Sequence, residues 1–175
     1  MYLRVPSWLI GLALCSAVNA EIVDRIAVIV GRAAIKQSDI DKEIRLTALL
    51  NGEKPDFSSA ERKRACSRLI DQAIIRKEII AGRYPEADEA AVQQIFRQIR
   101  QRYPSDAAFR QALHRDGITQ DELMEHLRWQ QTVLQFIAVR FGTEGGGADG
   151  NQQFFRWLDE TRQETRIVFR EENLK

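Results

Sequence analysis

Two histidines and one cysteine are the side chains best suited to metal binding or nucleophilic chemistry. His114 and His126 fall on successive predicted helices without an HExxH or similar spacing, and Cys66 is the only cysteine after residue 20. A structural zinc ion needs four protein ligands and a catalytic one three. Cys66 lies on an apolar helix face, where a buried structural thiol is expected. The sequence therefore predicts no metal site, no cofactor and no nucleophile.

Pairs of carboxylates could act as general acid and base, but their positions favour another role. Asp39 and Asp41 fall in the first turn of one predicted helix, and Asp121 and Glu122 in the first turn of another. Negative charge is stabilised there by the helix dipole and by free backbone N–H groups. Capping accounts for these residues, so we predict no catalytic residue and no enzyme.

Aromatic side chains gather in the last third of the chain, with arginines between them. Burial in a core is the ordinary expectation for each of them. Two adjacent phenylalanines in a helix point about 100° apart, however, so one of the pair at 154 and 155 should be exposed. An apolar groove edged by arginine could bind extended unfolded segments. The candidate peptide-binding residues are Trp129, Phe136, Phe154, Phe155 and Trp157.

The first 20 residues have the pattern of a secretory signal peptide. Arg4 supplies positive charge, residues 8–18 are mostly apolar, and Ala20 ends a cleavage site of small residues. The apolar run is shorter than the about 20 residues that a membrane span needs. We therefore expect cleavage before Glu21, export to the periplasm and no stable membrane insertion.

The charge balance bears on the class of partner. The full chain has 26 Lys and Arg against 25 Asp and Glu, and cleavage removes Arg4, which makes the remainder neutral. Proteins that bind nucleic acid concentrate basic charge. A helix-turn-helix over residues 116–135 would present Asp121, Glu122 and Glu125 to phosphate. We therefore predict no nucleic-acid partner.

The hydrophobic periodicity predicts a mostly α fold, with about six helices in a compact bundle and a small sheet. Apolar runs at 26–30 and 33–35 flank Gly31 and indicate a hairpin. A third strand at 166–170 should pair with residues 26–30, with Ile167 and Phe169 on the face that covers the bundle. Capping residues and breakers place the helices at about 38–50, 58–82, 86–103, 105–116 and 119–141 and, for the sixth, after residue 150.

Two motifs carry a family resemblance. The first spans the hairpin and the start of a helix and comprises Val23, Asp24, Val28, Val30, Gly31, Ile35, Ser38, Asp39 and Ile40. The second comprises Phe109, Leu113, Gly117, Ile118, Thr119, Leu123 and Leu127. With the order of elements from about residue 22 onward, they resemble the amino-terminal core of SurA-type periplasmic chaperones, whose members often carry parvulin prolyl-isomerase domains.

This resemblance implies a domain organisation. Residues 1–20 would be the signal peptide and 21–175 a single chaperone core whose carboxy-terminal helix and strand return to its amino-terminal part. Residues 142–150, with five glycines, are predicted to be a flexible linker at the place where relatives insert parvulin modules. Nine residues cannot hold a domain, which takes at least about 50. The isomerase module is therefore expected to be absent.

The function that the resemblance implies is that of an ATP-independent holdase for unfolded outer-membrane or secreted polypeptides. Two alternatives stay open: an enzyme related to the prolyl isomerases, and a structural partner subunit of a separate isomerase. The sequence also leaves open whether the chain forms a homodimer.

Overall fold

The two ends of the described chain meet in a sheet of three short strands. A computed structural model describes residues 24–142 and 148–174, so the predicted signal peptide lies outside the described part. Strands β1 (Ile26–Val30) and β2 (Ala33–Lys36) form an antiparallel hairpin. Gly31 occupies the turn with a φ of 59°, a conformation that glycine adopts without strain. The predicted hairpin is confirmed.

The third strand, β3 (Ile167–Phe169), pairs antiparallel with β1 and gives the strand order β2-β1-β3. Phe169 lies opposite Val28, and Ile167 lies opposite Val30. Backbone bonds extend the ladder at both ends, since Gly31 N–H donates to the Arg166 carbonyl at 2.9 Å and Arg170 N–H donates to the Ala27 carbonyl at 2.8 Å. Ile167 and Phe169 pack against the bundle, as their alternation predicts.

Six α-helices account for most of the described residues, and the predicted mostly α fold with a small sheet is confirmed. A 3₁₀ turn, η1 (Glu172–Leu174), follows β3. Among the described residues, no helix is long and apolar enough to cross a membrane. In chain order the helices are α1 (Gln37–Asn51), α2 (Ser59–Gly82), α3 (Glu89–Arg100), α4 (Asp106–Asp116), α5 (Gln120–Phe141) and α6 (Ala148–Glu164).

Most of the predicted helix caps are present. The hydroxyl groups of Ser58, Ser105 and Thr119 each accept a backbone N–H in the first turn of the helix that follows. Ser38 differs, because α1 begins before it. Its hydroxyl donates to the Asp24 carboxylate at 2.5 Å, so it ties the helix to the start of the hairpin.

The helix boundaries depart from the prediction at two places. Helix α3 is shorter at both ends than the predicted 86–103: it begins at Glu89 after the Asp88 cap and ends at Arg100, so Tyr103 lies beyond it. Helix α6 begins at Ala148, inside the stretch 142–150 that the glycines predicted to be a linker. The helix that follows packs against the apolar core through Phe154 and Leu158.

The apolar interior is divided into two clusters. The first joins the sheet, α2, α6 and η1, and the second joins α3 and α4. Helices α1 and α5 serve both: Ile44 and Phe136 lie in the first cluster, and Leu49 and Leu127 lie in the second. An open cleft lies where these two helices pass from one cluster to the other.

Candidate functional site

The five aromatic residues predicted to bind peptide do not form one surface. Phe136 is completely buried and Phe154 is only 6% exposed, whereas Phe155 is 60% exposed. One of the two adjacent phenylalanines is thus exposed, as the helix geometry predicts. Trp129 and Trp157 are half-buried.

Four of the carboxy-terminal aromatic rings form a packed cluster. Phe136 contacts Trp157 at 5.6 Å between ring centres, and Phe141 contacts Phe154 at 5.8 Å, both nearly edge to face. The Arg140 guanidinium lies 4.9 Å from the centre of the Trp157 ring. Such contacts stabilise a core. Phe136 and Phe154 therefore cannot contact a client in this conformation, because tertiary packing covers them.

Trp129 lies elsewhere, at the passage between the two hydrophobic clusters. The Arg76 guanidinium stacks 4.1 Å above the centre of its ring. Beside this pair is an open cleft of about 230 Å³ between α1, α2 and α5, which we call the junction cleft. Its lining residues are Ile35, Asp39, Lys42, Glu43, Leu46, Leu69, Gln72, Arg76, Glu122, Glu125, His126 and Trp129.

A buried carboxylate holds the inner wall of the junction cleft. Glu43 is only 5% exposed. Its side chain accepts a hydrogen bond from Arg68 Nε at 2.8 Å and a longer one from Gln72 at 3.4 Å. Arg68 also bonds Glu61 at 3.1 Å. A charge that is buried, paired and hydrogen-bonded in this way fixes α1 against α2.

His126 lies in the same wall on α5. Burial lowers the pKa of its imidazole, although the nearby Glu43 carboxylate opposes that shift. The unperturbed pKa of histidine is about 6.5, so the ring is neutral at pH 7. One ring nitrogen lies 3.0 Å from the Gln130 amide. His126 therefore adds a hydrogen-bonding group to the cleft but no positive charge.

The outer end of the junction cleft is acidic. Lys42 forms an ion pair with Glu122 at 2.8 Å. Bonds from Lys42 and from the Thr119 backbone lower the pKa of Glu122 to about 2. Asp39 and Glu125 also act electrostatically on Lys42. The cleft walls thus carry four carboxylates but only two cations, Lys42 and Arg76.

A second depression lies between α3 and α5. It is lined by Glu89, Gln93, Phe96, Gln120, Asp121, Met124 and Arg128. The Arg128 guanidinium crosses it and bonds the Glu89 carboxylate at 3.0 Å. Its walls are mainly polar, and Glu89 already binds both Gln93 and Arg128, so it is a weaker candidate than the junction cleft.

The described residues offer little to covalent or metal chemistry. No group of three or more His, Cys, Asp or Glu among them is arranged to hold a metal ion. Burial raises the pKa of the Cys66 thiol, which makes it a poor nucleophile. His114 is exposed on α4. The arrangement that remains can bind a ligand by apolar contact, hydrogen bonds and charge.

Most of the junction cleft was missed by sequence reasoning, although one signal was present. Ile40, Glu43 and Ile44 follow the i, i+3, i+4 spacing of a buried helix face, and all three are buried. A glutamate on such a stripe is unusual, because an unpaired buried charge is costly. Its partner Arg68 lies 25 residues away on another helix, so only the tertiary structure identifies it.

Comparison with known proteins gives no assignment. No family model matches the chain, and no curated protein matches it. The function must therefore be argued from the residues and the geometry.

Proposed function

We propose that this protein is an ATP-independent periplasmic chaperone of the SurA type, which binds unfolded outer-membrane or secreted polypeptides through the junction cleft. The observation that carries the proposal is the open junction cleft itself. Its walls combine apolar side chains, such as Leu69 and Trp129, with polar groups, such as the half-buried Gln72 and His126. An extended peptide offers apolar side chains and backbone polar groups to such a surface.

The chain topology supports the family interpretation. The resemblance to SurA-type chaperones implies that the carboxy-terminal segment returns to the amino-terminal hairpin. Strand β3 pairs with β1, and Leu174 of η1 is buried against α2. Helices α5 and α6, which come before and after residues 143–147 in the sequence, pack against each other.

A first test is suppression of aggregation by the chain from residue 21 onward. An unfolded outer-membrane protein is diluted from urea, and light scattering is recorded with increasing amounts of the chain. We expect near-complete suppression at close to stoichiometric amounts. Undiminished scattering at a severalfold excess would remove the chaperone proposal.

Two variants locate the site. Trp129→Leu keeps an apolar side chain but removes the ring that stacks with Arg76, and it should weaken suppression. Leu134→Ala changes an exposed apolar residue on the outer face of α5 and should leave suppression unchanged. Circular dichroism checks that both variants fold. Equal loss in both would place the activity outside the junction cleft.

A structural partner subunit is a second candidate, and one observation favours it. Ile80, Leu134, Val139 and Phe155 are large apolar residues that are more than half exposed. Exposed apolar side chains can mark a contact with another subunit. Light scattering of the purified chain together with a pull-down from periplasmic extract separates this candidate from a free-standing holdase. Acceleration of cis/trans exchange in a proline peptide tests the remaining alternative, a prolyl isomerase.

A further inference from the structure

We infer that the junction cleft selects client segments in which a large apolar side chain is adjacent to a lysine or arginine. This inference rests on the proposed chaperone function and specifies the chemistry of the clients. It depends on two features of the cleft, an apolar floor and an excess of negative charge at one end.

The apolar floor is built by residues from four elements. Ile35 comes from β2, Leu46 from α1, Leu69 from α2 and Trp129 from α5. The Arg76 guanidinium already covers one face of the Trp129 ring. Ile35 and Leu46 are buried beneath the floor. A client side chain would therefore rest against the half-buried Leu69 and the exposed part of Trp129, where its removal from water is favourable.

The negative charge at the outer end is not fully compensated. The Arg68 guanidinium neutralises Glu43 from behind the wall, and the Lys42 ammonium is bound directly to Glu122. Asp39 accepts the Lys36 N–H at 2.8 Å, and Glu125 is exposed. Both act on the Lys42 ammonium that Glu122 already binds, and the only other cation among the lining residues is Arg76. Because His126 is neutral at pH 7, it does not offset these carboxylates. A cationic client residue placed there meets a complementary surface.

The polar wall fixes how such a segment would lie. Glu43 and His126 are held in place by Arg68 and Gln130, respectively. Because Glu43 is buried and already paired, the polar group that a client can reach beside the apolar floor is the half-buried His126. The apolar side chain of the client then occupies the floor, and its basic neighbour extends towards Asp39 and Glu125. A client with an acidic residue at that position would be repelled.

The test compares two labelled peptides by fluorescence anisotropy with the chain from residue 21 onward. The peptides share the same leucines and phenylalanines and differ only in having lysine or glutamate next to each of them. Partly exposed charge pairs contribute up to about 1 kcal/mol, so we expect the lysine peptide to bind about fivefold more tightly at low salt. The preference should shrink as salt is added, because salt screens exposed charges.

A charge-reversing variant ties the preference to the junction cleft. Glu125 is exposed, so Glu125→Lys should fold normally while it abolishes or inverts the preference. The matched control is Glu160→Lys, an exposed charge reversal on α6, which does not line the cleft. We expect the control to keep the wild-type preference. Circular dichroism verifies that both variants fold.

The outcomes separate this inference from the proposed function. If the chain suppresses aggregation but binds both peptides equally or neither of them, the holdase proposal stands and the client preference is overturned. The same holds if Glu125→Lys and Glu160→Lys change the preference equally. If aggregation is not suppressed and neither peptide binds, both proposals fail together.

Discussion

At Gly82, the last residue of α2, there is no room for a side chain, because the ring of Tyr84 lies beside it. A Cβ atom at this position would lie 2.3 Å from Cε2 of Tyr84. The Tyr84 ring cannot move freely, because it packs edge to face on Phe136 with 4.8 Å between ring centres. We expect Gly82→Ala to lower the free energy of unfolding by about 1 kcal/mol, since the clash outweighs the helix propensity of alanine. Urea denaturation measures the change.

The same substitution in a chain that lacks the Tyr84 ring tests whether that ring causes the loss of stability. When Tyr84→Ala removes the ring, the same Gly82→Ala substitution should become neutral or stabilising, because only the gain in helix propensity of up to about 1 kcal/mol remains. An equal loss of stability in both backgrounds would mean that the contact with Tyr84 is not the reason for glycine.

The lowered pKa of Glu122 predicts that the stability of the fold depends on pH. Its folded-state pKa of about 2 lies below the ordinary value of 4.5. The resulting stabilisation is fully present above about pH 4.5 and is lost as the pH falls towards 2. Allowing for solvent at this partly exposed pair, we expect Glu122→Gln to cost about 1 to 2 kcal/mol at pH 7.

The measurement is chemical denaturation of the wild type and the variant between pH 7 and pH 2. The difference between them should decrease steadily below pH 4.5. Glu125→Gln serves as the control, because Glu125 is exposed and caps no helix. A constant difference down to pH 2 would contradict the assigned role of Glu122.

Among the helices, Thr132 on α5 binds the segment that connects α2 and α3 by a hydrogen bond. The buried hydroxyl of Thr132 donates to the Arg128 carbonyl at 2.9 Å and accepts the Ala87 N–H at 3.1 Å. Thr132→Val keeps the shape but leaves that N–H without its partner. We expect a loss of about 1 to 2 kcal/mol and faster hydrogen exchange of the Ala87 amide.

Thr161 provides a matched control on α6. Its hydroxyl donates to the Trp157 carbonyl at 2.7 Å, within its own helix. Thr161→Val therefore removes a bond that holds no other element and should change stability by about 0.5 kcal/mol or less. Equal effects of the two substitutions would argue against the fastening role of Thr132.

At the scale of the whole molecule, the first hydrophobic cluster depends on the carboxy-terminal segment. Phe154 and Leu158 of α6 and Leu174 of η1 are all buried in it. Burial of each such side chain contributes about 1.5 to 3 kcal/mol, against a net stability of about 5 to 15 kcal/mol for a domain. We expect a chain that ends at residue 142 to lose cooperative unfolding.

The second cluster contains no residue from the carboxy-terminal segment. Truncation should therefore destabilise the second cluster less than the first. Amide protection should disappear at Val28 and Ile70 of the first cluster and persist in part at Val92 and Leu123 of the second. Addition of residues 148–175 as a separate peptide should restore cooperative unfolding. A truncated chain with the thermal transition of the longer one would show that the segment contributes little to stability.

Local structure in this protein follows from short stretches of sequence. Runs of β-branched and aliphatic residues flanking Gly31 predicted the hairpin. Ser58, Ser105 and Thr119 predicted three helix starts, because caps and turns depend on residues within about four positions. The strand at the carboxy-terminal end was also predicted to pair with β1, since a lone hairpin needs another strand to cover it. Ser38 was misplaced as a cap because its partner, Asp24, lies across the hairpin.

Which side chains remain accessible to a ligand depends on how the helices pack against one another. Phe136, Phe154 and Phe155 look alike in sequence, yet two are buried and one is exposed, because α5 and α6 close around the first two. The junction cleft depends on three helices that converge from distant parts of the chain, and Glu43 finds Arg68 only there. Periodicity shows which face of a helix is apolar, but it does not show where two apolar faces fail to meet, and that gap is the candidate site.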